Sequence, residues 1–166
     1  MTTEEGLAKP NYRFRNFSSI MAIALLVLGP AASSADNATK LDDPGVMPPG
    51  LPFSPVIRAG DTYYLSGQIG ARPGTLELVP GGIGPEARQA LENVRAILAT
   101  RELTMGDLVK CTVMLADIDD WAEFNQIYRT FFETTLPARS AFAASGLALN
   151  GRVEIDCIAH APELAR

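Results

Sequence analysis

The distribution of apolar residues predicts a β-hairpin followed by further regular elements. Val56–Ile57 and Thr62–Ile69 are apolar, strand-like runs, and the turn residues Gly60 and Asp61 separate them. Val109–Leu115 is a third run of the same kind.

Two segments repeat apolar residues at helical spacing. Pro85–Arg101 has the stripe of a surface helix, with Pro85 suited to the first helical position. Its apolar positions are Ala87, Leu91, Val94 and Leu98. The second helix starts at Asp120–Glu123, whose pattern resembles a capping box, and Pro137 ends the segment that follows it. Its aromatic positions, which we interpret as core, are Trp121, Phe124, Tyr128 and Phe131.

Leu136–Ala159 contains two more strands around a Gly/Asn loop. The last strand alternates, with Val153, Ile155 and Cys157 on one side and Glu154, Asp156 and Ile158 on the other. The order β-β-α-β-α-β-β predicts an α+β sheet with both helices on one face. No third helix is predicted for the second face, so we expect that face to be covered by self-association.

The N-terminal region differs from the rest of the chain. Residues 1–35 combine a basic flank, the apolar run Ile20–Leu28 and small residues up to Ala35, which is the pattern of a signal peptide. Residues 36–51 are rich in Asp, Pro and Gly and are predicted to be a tether, and residues 52–166 the folded domain. We expect a periplasmic or secreted protein without membrane association after cleavage, or a cytoplasmic one if this segment is not a signal.

Charge and cysteine content limit the classes of partner and of site that we expect. The net charge is −5, and the basic residues are scattered, which disfavours nucleic acid as the main partner. Cys111 and Cys157 are both in apolar strands; a bridge is allowed if those strands are adjacent, but two buried free thiols are the preferred interpretation. His160 has no metal-ligand or nucleophile partner at a recognisable spacing.

Arg139 and Glu154 are charged residues within the two final, otherwise largely apolar strands. An ion pair between the strands is the simplest structural interpretation. A buried ion pair recovers its desolvation cost only with excellent geometry, however, whereas arginine can bind a planar carboxylate of a ligand through two parallel hydrogen bonds. Both interpretations remain open at this point.

The segment from Gly50 to Ala159 resembles the RidA/YjgF family of reactive-intermediate deaminases, also known as the L-PSP endoribonuclease family. The similarity rests on GLPFSP, TYYLSGQIG, ARQALENVRAIL, and above all LPARSAF followed by VEIDCIA, with 14 residues between Arg139 and Glu154. It implies a homotrimer with a chorismate-mutase-like fold. It also implies hydrolysis of 2-imino acids or their enamines to 2-keto acids and ammonia, in clefts between subunits.

The resemblance also assigns roles to residues. Arg139 would bind the substrate carboxylate, Ser66 and Gly67 would line the pocket, and Glu154 would activate water. Two substrate-binding positions depart from the family pattern: Phe53 replaces a usual Tyr and Ala141 replaces a frequent Cys. We expect no cofactor and no metal. The alternatives are a non-catalytic trimer that binds small carboxylates or amino-acid-like ligands, and an endoribonuclease.

Overall fold

The computed structural model of the chain describes residues 38–41 and 45–161. The predicted signal peptide is outside these residues. The strands are β1 Thr39–Leu41, β2 Val56–Ala59, β3 Thr62–Ile69, β4 Leu108–Leu115, β5 Ala138–Ala143 and β6 Val153–His160; the helices are α1 Ile83–Ala99 and α2 Trp121–Arg129. Short 3-10 turns cover Met105–Asp107, Ile118–Asp120 and Ala148–Asn150. Within the described ranges, no helix is long and apolar enough to cross a membrane.

The first helix matches its predicted stripe. The four residues Ala87, Leu91, Val94 and Leu98 are all at most 1% exposed. The helix packs on β3 and β6 and against α2. It starts two residues earlier than predicted, directly after Gly82, whose φ of 81° is readily available only to glycine.

The second helix differs from its prediction in two ways. The capping box is wrong: Asp120 makes no side-chain capping bond, and its carboxylate instead accepts hydrogen bonds from the guanidinium of Arg152. Phe124 and Tyr128 are buried as predicted, but Trp121 is 46% exposed. The first turn of this nine-residue helix extends beyond the core, so the helical spacing alone overestimates the burial of Trp121.

The sheet has the strand order β1-β2-β3-β6-β4-β5. The predicted hairpin is present as the antiparallel pair β2 and β3, while β5 is an edge strand parallel to β4. β4 lies between β5, which carries Arg139, and β6, which carries Glu154. The interpretation of these two residues as an ion pair between neighbouring strands is therefore wrong for a single chain. The sequence contains both strands but does not state their order in the sheet.

The two faces of the sheet differ as the alternation in β6 predicts. Val153, Ile155 and Cys157 are at most 1% exposed and belong to the core beneath the helices. On the other face, Tyr64 and Phe142 are 49% and 48% exposed. The described part of the chain therefore leaves large apolar side chains uncovered there, and self-association through this face stays a prediction.

The segment predicted as a tether has more structure than its composition suggests. Thr39–Leu41 pairs with β2, and Val46 is only 8% exposed and belongs to the core. The edge of β2 supplies backbone hydrogen-bond partners that a Pro- and Gly-rich segment lacks by itself.

The cysteines form a disulfide, so the preference for free thiols is wrong. Cys111 on β4 is directly opposite Cys157 on β6, with their Cα atoms 4.1 Å apart. The strand register creates this proximity, and a count of two cysteines cannot reveal it.

We expect reduction of this disulfide to lower the free energy of unfolding. The bond closes a loop with a sequence separation of 46 residues, for which the chain-entropy estimate is roughly 4 kcal/mol. Urea unfolding with and without dithiothreitol measures the difference. The Cys111→Ala/Cys157→Ala double variant is the control and should show no response to reductant. Detection of two free thiols per chain in the native protein without reductant would contradict the bridge.

Candidate active site

Glu154 extends from β6 on the face of the sheet opposite the helices. A β-bulge lies beside it: Leu65 pairs with Cys157 and Gln68 with Ile155, so Ser66 and Gly67 together oppose one residue of β6. A Cβ atom at Gly67 would be 2.0 Å from Oε1 of Glu154. Only glycine allows the carboxylate to lie this close to the backbone of β3.

A cavity of about 340 Å³ lies next to Glu154. Three residues assigned to the site from the sequence line it together, namely Phe53, Gly67 and Glu154. Most of the remaining wall is apolar and comes from the segment before β2 and from the loops after β3 and before β6. Among the described residues that line the cavity, Glu154 is the one ionisable group.

Burial raises the pKa of the Glu154 carboxyl above its ordinary value, and the nearby negative charge of Asp156 raises it further. Removing a carboxylate from water disfavours its ionised form, and a like charge has the same effect. Glu154 is thereby more basic than an exposed glutamate, which suits proton transfer.

Ser66 makes its hydrogen bonds within the chain, beside the bulge. Its hydroxyl donates a hydrogen bond to the carbonyl of Ser54 at 2.6 Å, and its backbone N–H donates to the carbonyl of Pro55 at 2.9 Å. The side chain therefore fastens the segment that carries Phe53 to β3. It is not among the residues that line the Glu154 cavity.

Arg139 lies on β5 and faces α2. Its Nη2 donates to Oδ1 of Asn125 at 2.7 Å, and its guanidinium carbon is 4.7 Å from the ring centre of Tyr128 and 5.6 Å from that of Phe124. Stacking on an aromatic ring and a bond to a neutral amide fix the guanidinium without neutralising its charge. In residues 38–41 and 45–161, no carboxylate forms a salt bridge with Arg139.

A separate groove of about 230 Å³ borders Arg139, with walls that include Trp121, Tyr128 and Pro137. Burial raises the pKa of Tyr128 to about 12, an effect that the positive charge of Arg139 partly opposes. The Tyr128 hydroxyl is buried and has no hydrogen-bond partner among the described residues. Helical spacing predicted the burial of Tyr128, but not its contact with Arg139.

A single chain does not bring Arg139 and Glu154 together. Arg139 is three residues from Phe142, and Phe142, Met114 and Glu154 are aligned across β5, β4 and β6. At about 3.3 Å per residue and 4.8 Å per strand, the two Cα atoms are roughly 14 Å apart. The side chains also lie on opposite faces, since Arg139 is in register with the buried Cys111 and contacts α2.

Ala141, the remaining assigned residue, also faces the helices. It is partly buried and packs against the core, so its side chain points away from the Glu154 cavity. The sequence similarity identified its position in the strand but did not determine which face it occupies.

A buried glutamate that sequence reasoning did not select fixes the start of β6. Glu86 on α1 is 6% exposed, and its Oε2 accepts a hydrogen bond at 2.7 Å from the backbone N–H of Arg152. A Cβ at Gly70 would be 2.6 Å from the Cα of Glu86, so helix and strand are in close backbone contact here. Because Arg152 directly precedes β6, this contact positions the strand that carries Glu154.

We expect Glu154→Gln to stabilise the protein at neutral pH. The folded-state pKa of Glu154 is raised, so the wild type loses stability as the pH rises through that value, and the neutral amide does not. The gain should grow as the pH rises through the folded-state pKa and vanish below about pH 4, where glutamate is protonated in both states. Thermal unfolding across this range measures it, with Glu133→Gln as the matched control because Glu133 is exposed. A gain that does not change with pH would contradict this origin.

Comparisons with known proteins agree on one family. A family model described as Endoribonuclease L-PSP matches residues 46–161. The mouse protein named 2-iminobutanoate/2-iminopropanoate deaminase is 44% identical over 108 residues, which are 65% of this chain and 80% of the mouse protein. The human protein of the same name is 41% identical over 108 residues, 65% of this chain and 79% of the human protein.

Solved structures agree with this match. RidA from the Antarctic bacterium Psychrobacter sp. PAMC 21119 has a TM-score of 0.69 and 31% identity, with 74% of this chain and 99% of that chain covered. Escherichia coli TdcF with bound serine has a TM-score of 0.69 and 33% identity, with 74% and 99% covered. The predicted α+β fold is confirmed, and the chain belongs to the RidA/YjgF family.

Proposed function

We propose that this protein hydrolyses 2-imino acids to 2-keto acids and ammonia at a site built from two copies of the chain. One copy supplies the Glu154 cavity and another supplies Arg139. The observation that carries this proposal is the pair of incomplete half-sites. A partly buried, basic carboxylate lies on one face, and a guanidinium that has no carboxylate partner in the part of the chain that the structure describes lies on the other. The names of the mouse and human relatives support the reaction class.

The uncovered sheet face supports assembly. Tyr64 and Phe142 expose nearly half of their surface on the face that carries Glu154. Burial of such side chains against a second copy is favourable. Arg139 is on the edge strand β5, so its end of the sheet is available to a neighbouring copy. A closed ring of three copies, as the family resemblance implies, would repeat the same contact three times.

Arg139 is suited to bind the carboxylate of the substrate. The guanidinium is oriented by Asn125 and by the ring of Tyr128, so little of its conformational freedom remains to be lost on binding. Two of its N–H groups can bind both oxygens of a carboxylate. Serine, the ligand bound to TdcF, carries such a carboxylate.

Glu154 is suited to transfer protons. The ionised carboxylate accepts a proton from water as the water oxygen adds to the carbon of the protonated C=N bond, which gives a carbinolamine. Glu154 then returns this proton to the nitrogen, and the C–N bond breaks as the carboxylate takes the proton of the carbinolamine hydroxyl, which gives the 2-keto acid. Ammonia leaves with that proton as ammonium, and the carboxylate is again ionised. Such acid–base catalysis typically contributes about 10²- to 10⁴-fold.

Two alternatives are distinguishable. A non-catalytic binder of small carboxylates would use Arg139 in the same way, bind saturably and release no ammonia. An endoribonuclease, which the family description names, would need to attract a polyanion to a chain with a net charge of −5. The imine hydrolase is favoured because it uses both Arg139 and the basic carboxylate of Glu154.

We expect Arg139→Ala to lower kcat/KM for 2-iminobutanoate by about a hundredfold and Arg139→Lys by about tenfold, because lysine keeps the charge but loses the paired hydrogen bonds. The imine is generated in situ by an amino-acid dehydratase, and ammonia is measured. Arg88→Ala, at an exposed arginine of α1, is the control and should retain activity. Undiminished hydrolysis by Arg139→Ala would refute the assignment.

We expect activity to reappear when two inactive variants share one oligomer. Arg139→Ala and Glu154→Gln chains, co-expressed with different tags and purified through both, would form some sites with an intact Arg139 and an intact Glu154. In a cyclic trimer, every ring that contains both variants has one such site, so about a third of the sites in the doubly purified oligomers are restored. Oligomers that contain both tags but show no recovery would indicate that the site is not shared between chains.

A further inference from the structure

The cavity beside Glu154 offers almost no free polar group besides the carboxylate. Its polar side chains are largely engaged with the backbone: Gln68 donates to the carbonyls of Ser66 and Gly67, and Asn93 donates to those of Ile69 and Ala71. The apolar wall includes Met47, Pro48, Leu51, Phe53, Leu76 and Leu149. A ligand therefore meets a mostly apolar surface and one acidic group.

Only one part of a 2-imino acid fits this surface. The substrate carboxylate would be repelled by Glu154, and within residues 38–41 and 45–161 the cavity wall offers it no lysine, arginine or histidine. The imine nitrogen must stay near the water molecule that adds to the imine carbon. The side chain is the part of the substrate that gains from burial in the cavity.

The cavity is also large for the side chains in the relatives' names. 2-Iminopropanoate carries a methyl group and 2-iminobutanoate an ethyl group, whereas about 340 Å³ is available here. A small side chain would leave much of the apolar wall without contacts. Phe53 adds to this wall, and it does so without a hydroxyl group that a polar substrate could use.

Leu149 has an unusual backbone at the rim of the cavity. Its φ and ψ are 57° and 21°, and Asn150 follows with φ 58°. The left-handed region is unfavourable for leucine and persists only where the surroundings hold it, often at functional positions. Leu149 is nevertheless 45% exposed, so burial of its side chain in the core does not account for this conformation.

We propose that the Glu154 cavity binds the substrate side chain and selects 2-imino acids with large apolar side chains, with Leu149 forming the wall that contacts the end of that side chain. This inference rests on the proposed hydrolase function and specifies its substrate class.

The test compares 2-imino-4-methylpentanoate with 2-iminopropanoate, each generated in situ by an amino-acid oxidase. We expect kcat/KM to be about ten- to a hundredfold higher for the larger imine, because each additional buried methylene strengthens binding several-fold. Leu149→Asn tolerates the left-handed backbone but replaces the apolar contact by a polar one. It should lower the ratio of the two kcat/KM values by about tenfold, whereas Ile118→Asn, at an exposed apolar residue outside the cavity wall, should leave that ratio unchanged.

A second readout separates this inference from the hydrolase function. The dissociation constants of 4-methyl-2-oxopentanoate and pyruvate, measured by calorimetry, should show the same preference and the same response to Leu149→Asn. Hydrolysis of both imines with equal efficiency, or a ratio unaffected by Leu149→Asn, would overturn the side-chain preference and leave the hydrolase function intact. Selective binding of the larger keto acid without hydrolysis of either imine would support the cavity assignment and overturn the hydrolase function.

Discussion

The contact between Glu154 and Gly67 is the constraint on which the candidate site depends. A carboxylate in the middle of a sheet needs space on the neighbouring strand, and the bulge at Ser66–Gly67 together with the missing side chain provides it. The same crowding removes water from the carboxylate and makes it more basic. One local feature of β3 thus determines both the position and the protonation of the group on β6.

The elements around this contact hold it from several directions. Glu86 fixes the chain directly before β6, and the disulfide joins β6 to β4 three residues beyond Glu154. Ser66 ties the segment before β2 to the bulge. The cavity wall is therefore built on elements that are themselves cross-linked, which is the arrangement expected of a preorganised site.

The separation of Arg139 from Glu154 has a simple topological origin. The chain continues from α2 into β5, which pairs in parallel with β4 at the edge of the sheet. β6 lies between β3 and β4. Two residues 15 positions apart in the chain thereby reach opposite faces and different strands. A second copy of the chain is the economical way to join a guanidinium and a carboxylate that one chain keeps apart, and it also covers the exposed apolar face.

The sequence by itself determined the elements from β2 to β6, the core stripe of α1 and the alternation in β6, because the periods of 3.6 and 2 residues are local properties of a chain that must bury one face. It also identified Arg139 and Glu154, since charged residues in apolar strands are conspicuous. Only the tertiary structure decided the pairing of Cys111 with Cys157, the diversion of Asp120 from helix capping to Arg152, and the placement of Ala141 away from the cavity. Each of these depends on which strands are neighbours and in what register, and strand order is set by long-range packing that no local pattern encodes.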